Sequence, residues 1–341
     1  MKKYYFFFIF KFRFRRAAFN NFLKLKKIKN YKIIDLSGPF KYYLLSKILI
    51  MIVQIFPKKF DNFILISCDG LPFIKTNSVN IWFGGTSLKI PKEFNKYSNN
   101  LPMIKNFIVK EKNFISLYPC NLKKINFKKK FKIIYVGALK LQTSNITLKI
   151  WKKNNNAILN NLSLIDNKKF WAKNTLLQSD KIHKIYLEIK NLIRLSVIKE
   201  INKKFGDDLI IVGTDWEKHI NNSVPSNYDT NYIRNLYDGN ICLDFGSRWG
   251  DNSLYPRNIE IIEAGGLLLQ SLTPDSTTAY GNLTNSVTFN SVNELVKKII
   301  NYKKNYNLLV SDYKKFSSLF SNSSKNYKTL TIIKNISKKN S

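Results

Sequence analysis

The chain has 341 residues, a length that suggests about two domains, and its 44% of hydrophobic residues is enough for packed cores. Its 57 Lys and Arg against 22 Asp and Glu give a formal net charge of +35. Three widely separated cysteines and two histidines exclude a disulfide framework and a His-rich metal site. We therefore expect a reduced, cytoplasmic setting without a structural metal.

A strong positive charge is typical of proteins that bind nucleic acid or an anionic membrane surface. Here the lysines are spread along the whole chain, and Lys, Asn and Ile are all frequent, which is the pattern of an A+T-rich genome. We favour genomic composition as the main cause of the charge and membrane attraction as a consequence. We do not predict nucleic acid as a partner.

The first 32 residues interleave Lys and Arg with Phe and contain no acidic residue. Two interpretations stay open: a segment resting on the inner face of an anionic membrane, at about 1 kcal/mol for each basic residue, or a first strand and helix with solvated charges. The apolar run Tyr4–Phe10 is short for a signal peptide, and no cleavage site follows it. The run Tyr42–Phe56 is shorter than the roughly 20 residues of a spanning helix and predicts a buried helix.

Strand-like and helix-like runs alternate through the first third of the chain and predict a small α/β domain with a parallel sheet, residues 1–120. Asp69 follows one of these strands directly. The polar, charged segment 121–130 predicts a linker. The predicted strands are 31–36, 63–67, 79–83, 107–109 and 114–117.

A second α/β domain is predicted over 131–322, and a polar tail over 323–341. Its first strand, Phe131–Val136, ends at Gly137, where a ligand's phosphates can approach the backbone closely. Residues 141–180 show no clear pattern. The next predicted elements are helices over 181–205 and a strand at 209–212, which is followed by Gly213. A loop is predicted at 273–278. Two helices follow, over 291–302 and 306–319, and the first of them starts with a capping box from Ser291 to Glu294.

The stretch from Asn240 to Ser271 predicts strand, loop, helix and strand, with the loop over 246–255. Pro256 suits the first turn of a helix and Gly265-Gly266 its end. This pattern places a helix N-terminus at the carboxyl end of a parallel sheet. Ligands bind at that end of such sheets, and a helix N-terminus favours phosphate. Arg248 and Arg257, two of only seven arginines, flank this corner. They suit bidentate phosphate binding, or are surface residues in local salt bridges.

With these residues in place, the second half resembles the C-terminal domain of GT-B glycosyltransferases, and most of all the spore-protein-type, family-1-like group. The R-x-x-E-x-x-x-x-G-G pattern falls on Arg257, Glu260, Gly265 and Gly266. The resemblance spans about residues 116–305. Further segments that match in order are SLYPCN (116–121), FKIIYVGALK (131–140), LIIVGTDW (209–216) and NELVKKIINY (293–302).

The resemblance implies a GT-B architecture: two Rossmann-like domains with parallel sheets facing across a cleft. It implies that the second domain holds a nucleotide-sugar donor, with Glu260 accepting hydrogen bonds from the ribose hydroxyls. Asp215 would contact the base, while Trp216 contacts it or only packs. The implied donor-binding residues are Gly137, Asp215, Arg248, Asn252, Ser253, Arg257, Glu260, Gly265 and Gly266.

Two features depart from the family pattern. Asn252 stands where many retaining relatives carry Glu, so a retaining mechanism is not supported. The first domain shows no motif that aligns with the family. An inverting enzyme needs a general base there, for which Asp69 is the first candidate and Asp35 the second. The alternative is that either Asp is an ordinary turn or cap residue.

The sequence thus predicts a metal-independent glycosyltransferase without a cofactor, which transfers a sugar to a glycan or lipid-linked acceptor for a cell-surface polysaccharide. We expect a cytoplasmic protein that is peripheral on the inner membrane face. Two other classes stay open: a non-catalytic GT-B scaffold subunit and, less favoured, a basic nucleic-acid-binding protein.

Overall fold

The structure is a computed structural model that divides the chain into two units. Unit 1 comprises Met1–Asn121 with Phe320–Ser341, and unit 2 comprises Leu122–Leu319. In unit 1 the structure describes six strands, residues 48, 51, 52 and 55, and residues 320–321. In unit 2 it describes residues 122–174, 179–221, 223–225, 229–246 and 256–319.

Unit 1 contains a six-stranded sheet in the order β2-β1-β3-β4-β5-β6, with every neighbouring pair parallel. The predicted strands at 31–36, 63–67, 79–83 and 114–117 are confirmed to within two residues. The strand predicted at 107–109 lies outside the described residues. The strands are β1 (Tyr4–Ile9), β2 (Tyr31–Asp35), β3 (Phe63–Cys68), β4 (Val79–Phe83), β5 (Met103–Lys105) and β6 (Phe114–Ser116).

The first strand lies inside this sheet. Phe6 of β1 is paired with Ile33 of β2 on one side and with Ile64 of β3 on the other. The interpretation of the start of the chain as a first strand is therefore confirmed for Tyr4–Ile9. The remainder of residues 1–30 lies outside the described residues.

Four apolar residues further along are helical and exposed: Ile48, Met51, Ile52 and Ile55, with 46%, 60%, 41% and 63% of their surface accessible. Their spacing of three and four residues places them on one helix face. The prediction of a buried helix over 42–56 is wrong for these residues, because an apolar run too short to span a membrane is not for that reason covered by the rest of the protein. No helix among the described residues is long and apolar enough to cross a membrane.

Unit 2 contains a second parallel sheet, in the order β9-β8-β7-β10-β11-β12. Numbered within the unit this is 3-2-1-4-5-6, the order of doubly wound nucleotide-binding domains. The order reverses between β7 and β10, which defines the switch point. The strands are β7 (Ile133–Val136), β8 (Leu209–Val212), β9 (Ser223–Val224), β10 (Ile241–Asp244), β11 (Leu267–Ser271) and β12 (Thr288–Phe289).

Strands β10 and β11 are buried along their whole length, so they form the centre of the core. Helices cover the sheet, and Tyr313 donates a hydrogen bond of 2.8 Å to the Leu268 carbonyl at its centre. The described helices are α1 (Asn145–Asn160), α2 (Lys168–Asn174), α3 (Ser179–Phe205), α4 (Thr230–Tyr237), α5 (Pro256–Glu263), α6 (Pro274–Tyr280), α7 (Thr284–Val287), α8 (Val292–Lys304) and α9 (Tyr306–Ser321).

Capping side chains determine where two of the helices start. Ser291 caps α8 as predicted and accepts from the Glu294 N–H, although the Glu294 carboxylate accepts from Asn290 rather than from Ser291. The predicted loop at 273–278 is wrong, because Thr273 and Ser276 form a capping box that starts α6 at Pro274. Thr before Pro is a helix-start pattern that outweighed the polar composition.

The segment 122–130 belongs to unit 2 and packs at the edge of its sheet where the strands begin. The Lys123 N–H donates to the Glu263 carbonyl at 3.1 Å, and the Lys123 ammonium lies 2.7 Å from Asp238. The Tyr306 hydroxyl donates to the Phe127 carbonyl at 3.3 Å. These contacts leave the opposite, carboxyl edge of the sheet to the loops that follow β7, β8 and β10.

Candidate functional site at the switch point of unit 2

Backbone contacts join the turns that follow β7 and β8. The Gly137 N–H donates to the Val212 carbonyl at 2.8 Å, and the Leu139 N–H donates to the Thr214 carbonyl at 3.0 Å. A Cβ atom on Gly213 would lie only 2.2 Å from the Gly137 carbonyl oxygen. Gly213 is therefore required because two backbones touch here, and its neighbour Gly137 is held at the switch point.

Aromatic side chains form the floor beneath this turn. Trp216 is fully buried and donates from Nε1 to the Gly137 carbonyl at 2.6 Å. The Tyr135 ring packs edge-on against Trp216 and tilted against Phe245, with ring centroids 5.4 and 5.2 Å apart. Of the two interpretations of Trp216, the structure thus shows packing. The floor makes the position of Gly137 rigid.

Asp215 lies beside this turn in a left-handed backbone conformation, with a φ of 67°. Its carboxylate is 3.8 Å from the Lys218 ammonium, and both side chains are substantially exposed. Non-glycine residues adopt this conformation infrequently, and Asp is among the few that favour it. The expected contact of Asp215 with the base of a nucleotide stays a prediction.

Arg257 is brought to Gly137 from a position 120 residues later in the chain. Helix α5 begins at Pro256 as predicted, so Arg257 occupies its first turn. A Cβ atom on Gly137 would lie 3.3 Å from Arg257 Nη1 and 2.9 Å from the Tyr135 hydroxyl. Because glycine lacks a Cβ atom, the Arg257 guanidinium has room over the turn at Gly137. Two residues that the sequence nominated separately therefore meet at the switch point.

Glu260 lies one helical turn after Arg257 and is half-buried. Burial, opposed by the attraction of Arg257 and supported by nearby Glu263, raises the pKa of its carboxyl to about 7. Near neutral pH this group therefore exists both as an acceptor-only carboxylate and as a carboxylic acid. Arg257 and Glu260 together present a cation and an ionisable acceptor on one turn of helix.

The sequence prediction missed Asp244, an acidic residue at the carboxyl end of β10. It ends β10 with 1% of its surface exposed, and its Oδ2 atom has no hydrogen-bond partner among the described residues. Burial raises the pKa of its carboxyl, and the nearby cations Arg257 and Arg194 oppose that rise. The available signal was an acidic residue closing an otherwise apolar strand, Ile241–Asp244.

Gly265 and Gly266 lie at the other edge of the sheet. Gly265 closes α5 with a φ of 77°, and its N–H donates to the Ile262 carbonyl at 3.2 Å. A Cβ atom on Gly266 would lie 2.7 Å from Ile261 Cγ2. Both glycines are needed for the turn from α5 into β11, and neither lies at the carboxyl edge with Gly137. Their expected part in donor binding stays a prediction.

The other nominated residues, Asp69, Arg248, Asn252 and Ser253, lie outside the described residues. Asp35 is the last residue of β2, and β3 ends at Cys68, just before Asp69. Within the described parts of the chain, no three His, Cys, Asp or Glu side chains cluster in a way that could hold a metal ion.

The raised pKa of Glu260 predicts a stability that depends on pH. Between the unfolded value of 4.5 and the folded value of about 7, the folded protein keeps a proton that the unfolded chain releases, so rising pH favours unfolding. From pH 4.5 to 8, we expect wild type to lose roughly 3 kcal/mol of unfolding free energy relative to Glu260→Gln. Urea titrations of both proteins across this range measure the difference, and parallel profiles would contradict it.

Comparison with known proteins adds information at the level of fold. No protein-family model matches the chain, and no curated protein sequence matches it. Among solved structures, it resembles the T4 phage β-glucosyltransferase with a TM-score of 0.50 and 11% sequence identity, over 97% of this chain and 98% of that one. S. aureus MnaA, solved with UDP, gives a TM-score of 0.49 and 8% identity, over 98% and 96% of the two chains.

The two parallel sheets and the likeness to the T4 phage enzyme confirm the predicted α/β fold class, that of the GT-B glycosyltransferases. The low sequence identity supports the fold alone. The narrower resemblance to the spore-protein-type group, and the cleft between the two domains, stay predictions.

Proposed function

We propose that this protein is a glycosyltransferase that moves a sugar from a nucleotide-sugar donor to a glycan or lipid-linked acceptor in cell-surface polysaccharide synthesis. One observation supports it above all: Arg257, on the first turn of a helix, meets Gly137 at the switch point of a 3-2-1-4-5-6 sheet. This is the position at which doubly wound sheets bind nucleotides. The T4 phage protein that shares the fold is a β-glucosyltransferase by name, which makes sugar transfer the first activity to test.

In this proposal unit 2 binds the donor. The Arg257 guanidinium and the N–H groups at the start of α5 stabilise the diphosphate, and Arg248 adds a second guanidinium from the preceding loop. Glu260 accepts hydrogen bonds from the ribose hydroxyls, and Asp215 contacts the base. Asn252 and Ser253 donate to the sugar or a phosphate.

Transfer then needs one exchange of bonds at the anomeric carbon. The acceptor hydroxyl oxygen forms a bond to that carbon, and the bond from the carbon to the phosphate oxygen breaks. The nucleoside diphosphate leaves with the electron pair, and the acceptor proton passes to a base, for which we propose Asp69. The developing negative charge on the leaving group is where Arg257 acts, so we propose that the reaction proceeds without a metal.

The experiment that tests this function measures binding and hydrolysis of a panel of UDP-, GDP-, ADP- and dTDP-sugars by the full chain, in EDTA and in Mn²⁺. Binding of at least one donor in EDTA is the expected result. Binding of none in either condition would remove the function, while binding that needs Mn²⁺ would remove only the metal independence. Binding without turnover on any glycan, lipid-linked or duplex DNA acceptor would favour the non-catalytic scaffold.

We also propose that the protein works as a peripheral protein on the inner, anionic face of a membrane. The support is the exposed apolar face formed by Ile48, Met51, Ile52 and Ile55. Basic residues Lys41, Lys47, Lys58 and Lys59 flank it, and no acidic residue occurs between Asp35 and Asp61. An apolar helix face within a basic segment is the combination that binds anionic bilayers.

This proposal predicts that Ile48→Glu weakens binding to vesicles containing anionic phosphatidylglycerol by about tenfold, because an apolar contact is lost and a repelled charge is added. Ile146→Glu is the matched control, since Ile146 in unit 2 has the same 46% exposure as Ile48. Co-sedimentation with phosphatidylglycerol and with neutral phosphatidylcholine vesicles measures both. Equal losses in the two variants would contradict the assignment of this face.

A further inference from the structure

The long helix α3 carries three buried polar side chains at intervals of three residues: Glu188, Asn191 and Arg194. Successive members of this row are neighbours on the helix surface. Buried polar groups are costly unless they are hydrogen-bonded, so their partners indicate why they are present. The partners lie on two segments at the carboxyl edge of the unit 2 sheet.

The first two residues of the row hold the segment that follows β7. The Glu188 carboxylate accepts from the Ser144 N–H at 2.9 Å and the Ser144 hydroxyl at 2.8 Å, and also from the Thr147 hydroxyl. Burial pushes the pKa of Glu188 upward, but these hydrogen bonds outweigh it and the pKa is lowered. Asn191 donates from Nδ2 to the Lys140 carbonyl at 2.7 Å. The segment between Gly137 and α1 is thereby fixed to α3.

Arg194 reaches the other segment. Its Nη2 atom lies 3.4 Å from the carbonyl of Gly246, the second residue after β10, and its Nη1 atom lies 3.3 Å from Asn191 Oδ1. Only 5% of the side chain is exposed, and Nε is buried without a hydrogen-bond partner among the described residues. Burying a charged guanidinium is energetically costly, and in the part of the chain that the structure describes it holds only one main-chain carbonyl. We therefore infer that Arg194 has a role beyond packing.

Asp244 is a buried carboxyl group in the same region of unit 2. It lies two residues before Gly246, and both Arg194 and Arg257 act on its carboxylate electrostatically. Lys190, on the same helix, adds a third cation to the surroundings of Asp244, and its ammonium lies over the Tyr186 ring. All three cations oppose the rise in the Asp244 pKa that burial causes.

We propose that Arg194 is a positioning residue for the donor site: through the Gly246 carbonyl it fixes the start of the loop that leads from β10 to α5 and Arg257. The proposal deepens the proposed function and rests on it for its effect on donor binding. Its effect on the segment around Gly246 does not depend on the donor. The two effects can therefore be measured separately.

The experiment compares Arg194→Met, Arg194→Lys and Asn191→Ala in the full chain by hydrogen–deuterium exchange and donor kinetics. Arg194→Met is expected to speed exchange in peptides covering 243–257 but not in β7 or β11. Asn191→Ala is expected to speed it in peptides covering 137–144. The donor KM should rise roughly tenfold in Arg194→Met with kcat within about twofold, because a hydrogen bond to a charged group is lost, and Arg194→Lys should recover part of the loss.

Asn202→Ala is the control, since Asn202 lies on the same helix, two turns beyond Arg194. Uniformly faster exchange throughout unit 2 in Arg194→Met, or no change at 243–257, would overturn the positioning role. Selective exchange at 243–257 with unchanged donor KM would overturn its link to the donor. If wild type binds no nucleotide sugar, the proposed function fails, while the exchange data still decide whether Arg194 positions this segment.

Discussion

Replacing Arg257 by alanine is expected to lower kcat/KM for the nucleotide-sugar donor by a factor of about 10² or more. Arg257 Nη1 lies beside Gly137 at the switch point, where, in the proposed reaction, it would meet the charge that develops on the leaving diphosphate. Removal of one such preorganised donor commonly reduces kcat by about 10²–10³. Arg257→Lys should recover only part of the rate, because an ammonium keeps the charge but loses the bidentate fork.

Steady-state kinetics with the best donor of the panel measures this effect. The control is Lys303→Ala, which removes a cation at the far edge of the same sheet, where Lys303 bonds Asp208 just before β8. We expect that variant to keep wild-type kcat/KM. If Arg257→Ala also kept it, the donor corner would have to lie elsewhere in the chain.

Replacing Gly213 by alanine is expected to lower the free energy of unfolding by about 3 kcal/mol or more. The added Cβ would lie 2.2 Å from the carbonyl oxygen and 2.6 Å from the carbonyl carbon of Gly137. Neither backbone can move aside easily, because Trp216 Nε1 and the Leu139 N–H hold the same turn. Overpacking of well-packed sites commonly costs 1–3 kcal/mol, and a clash with main-chain atoms belongs at the upper end.

Gly206→Ala is the matched control, because a Cβ on Gly206 would meet nothing within 4 Å. Urea unfolding of the two variants should separate them clearly, and similar midpoints would show that the turns after β7 and β8 are not in tight contact. Gly213→Ala should also weaken the proposed donor binding, since the clash displaces Gly137, beside which Arg257 lies.

Local patterns predicted unit 2 well where they were strong. The apolar run at 241–245, the polar loop and Pro256 placed β10 and the start of α5 correctly, and Gly265-Gly266 placed its end. Helix α1 was missed because Asn and Lys dominate its exposed face, with only a few buried positions such as Ile150 and Ile158. The 3-2-1-4-5-6 order was not readable, since pairing of β7 with β10 joins segments about a hundred residues apart.

The same limit applies to the candidate site. Gly137 and Arg257 could each be nominated, one as a glycine after a strand and the other as a rare arginine at a helix start. Their contact depends on the strand order. Asp244 resembled an ordinary residue at the end of a strand, and Arg194 lay in a helix rich in lysines. What distinguishes both is burial, which a single sequence does not reveal for a charged side chain.

Unit 2 is built from one uninterrupted stretch, whereas unit 1 draws on both ends of the chain. A recombinant fragment spanning 122–319 would thus carry Gly137, Arg257 and Glu260 without Asp69. Such a fragment would allow the proposed donor binding to be measured in the absence of the proposed base. The reciprocal piece cannot be excised by a single cut, because its two parts flank the segment being removed.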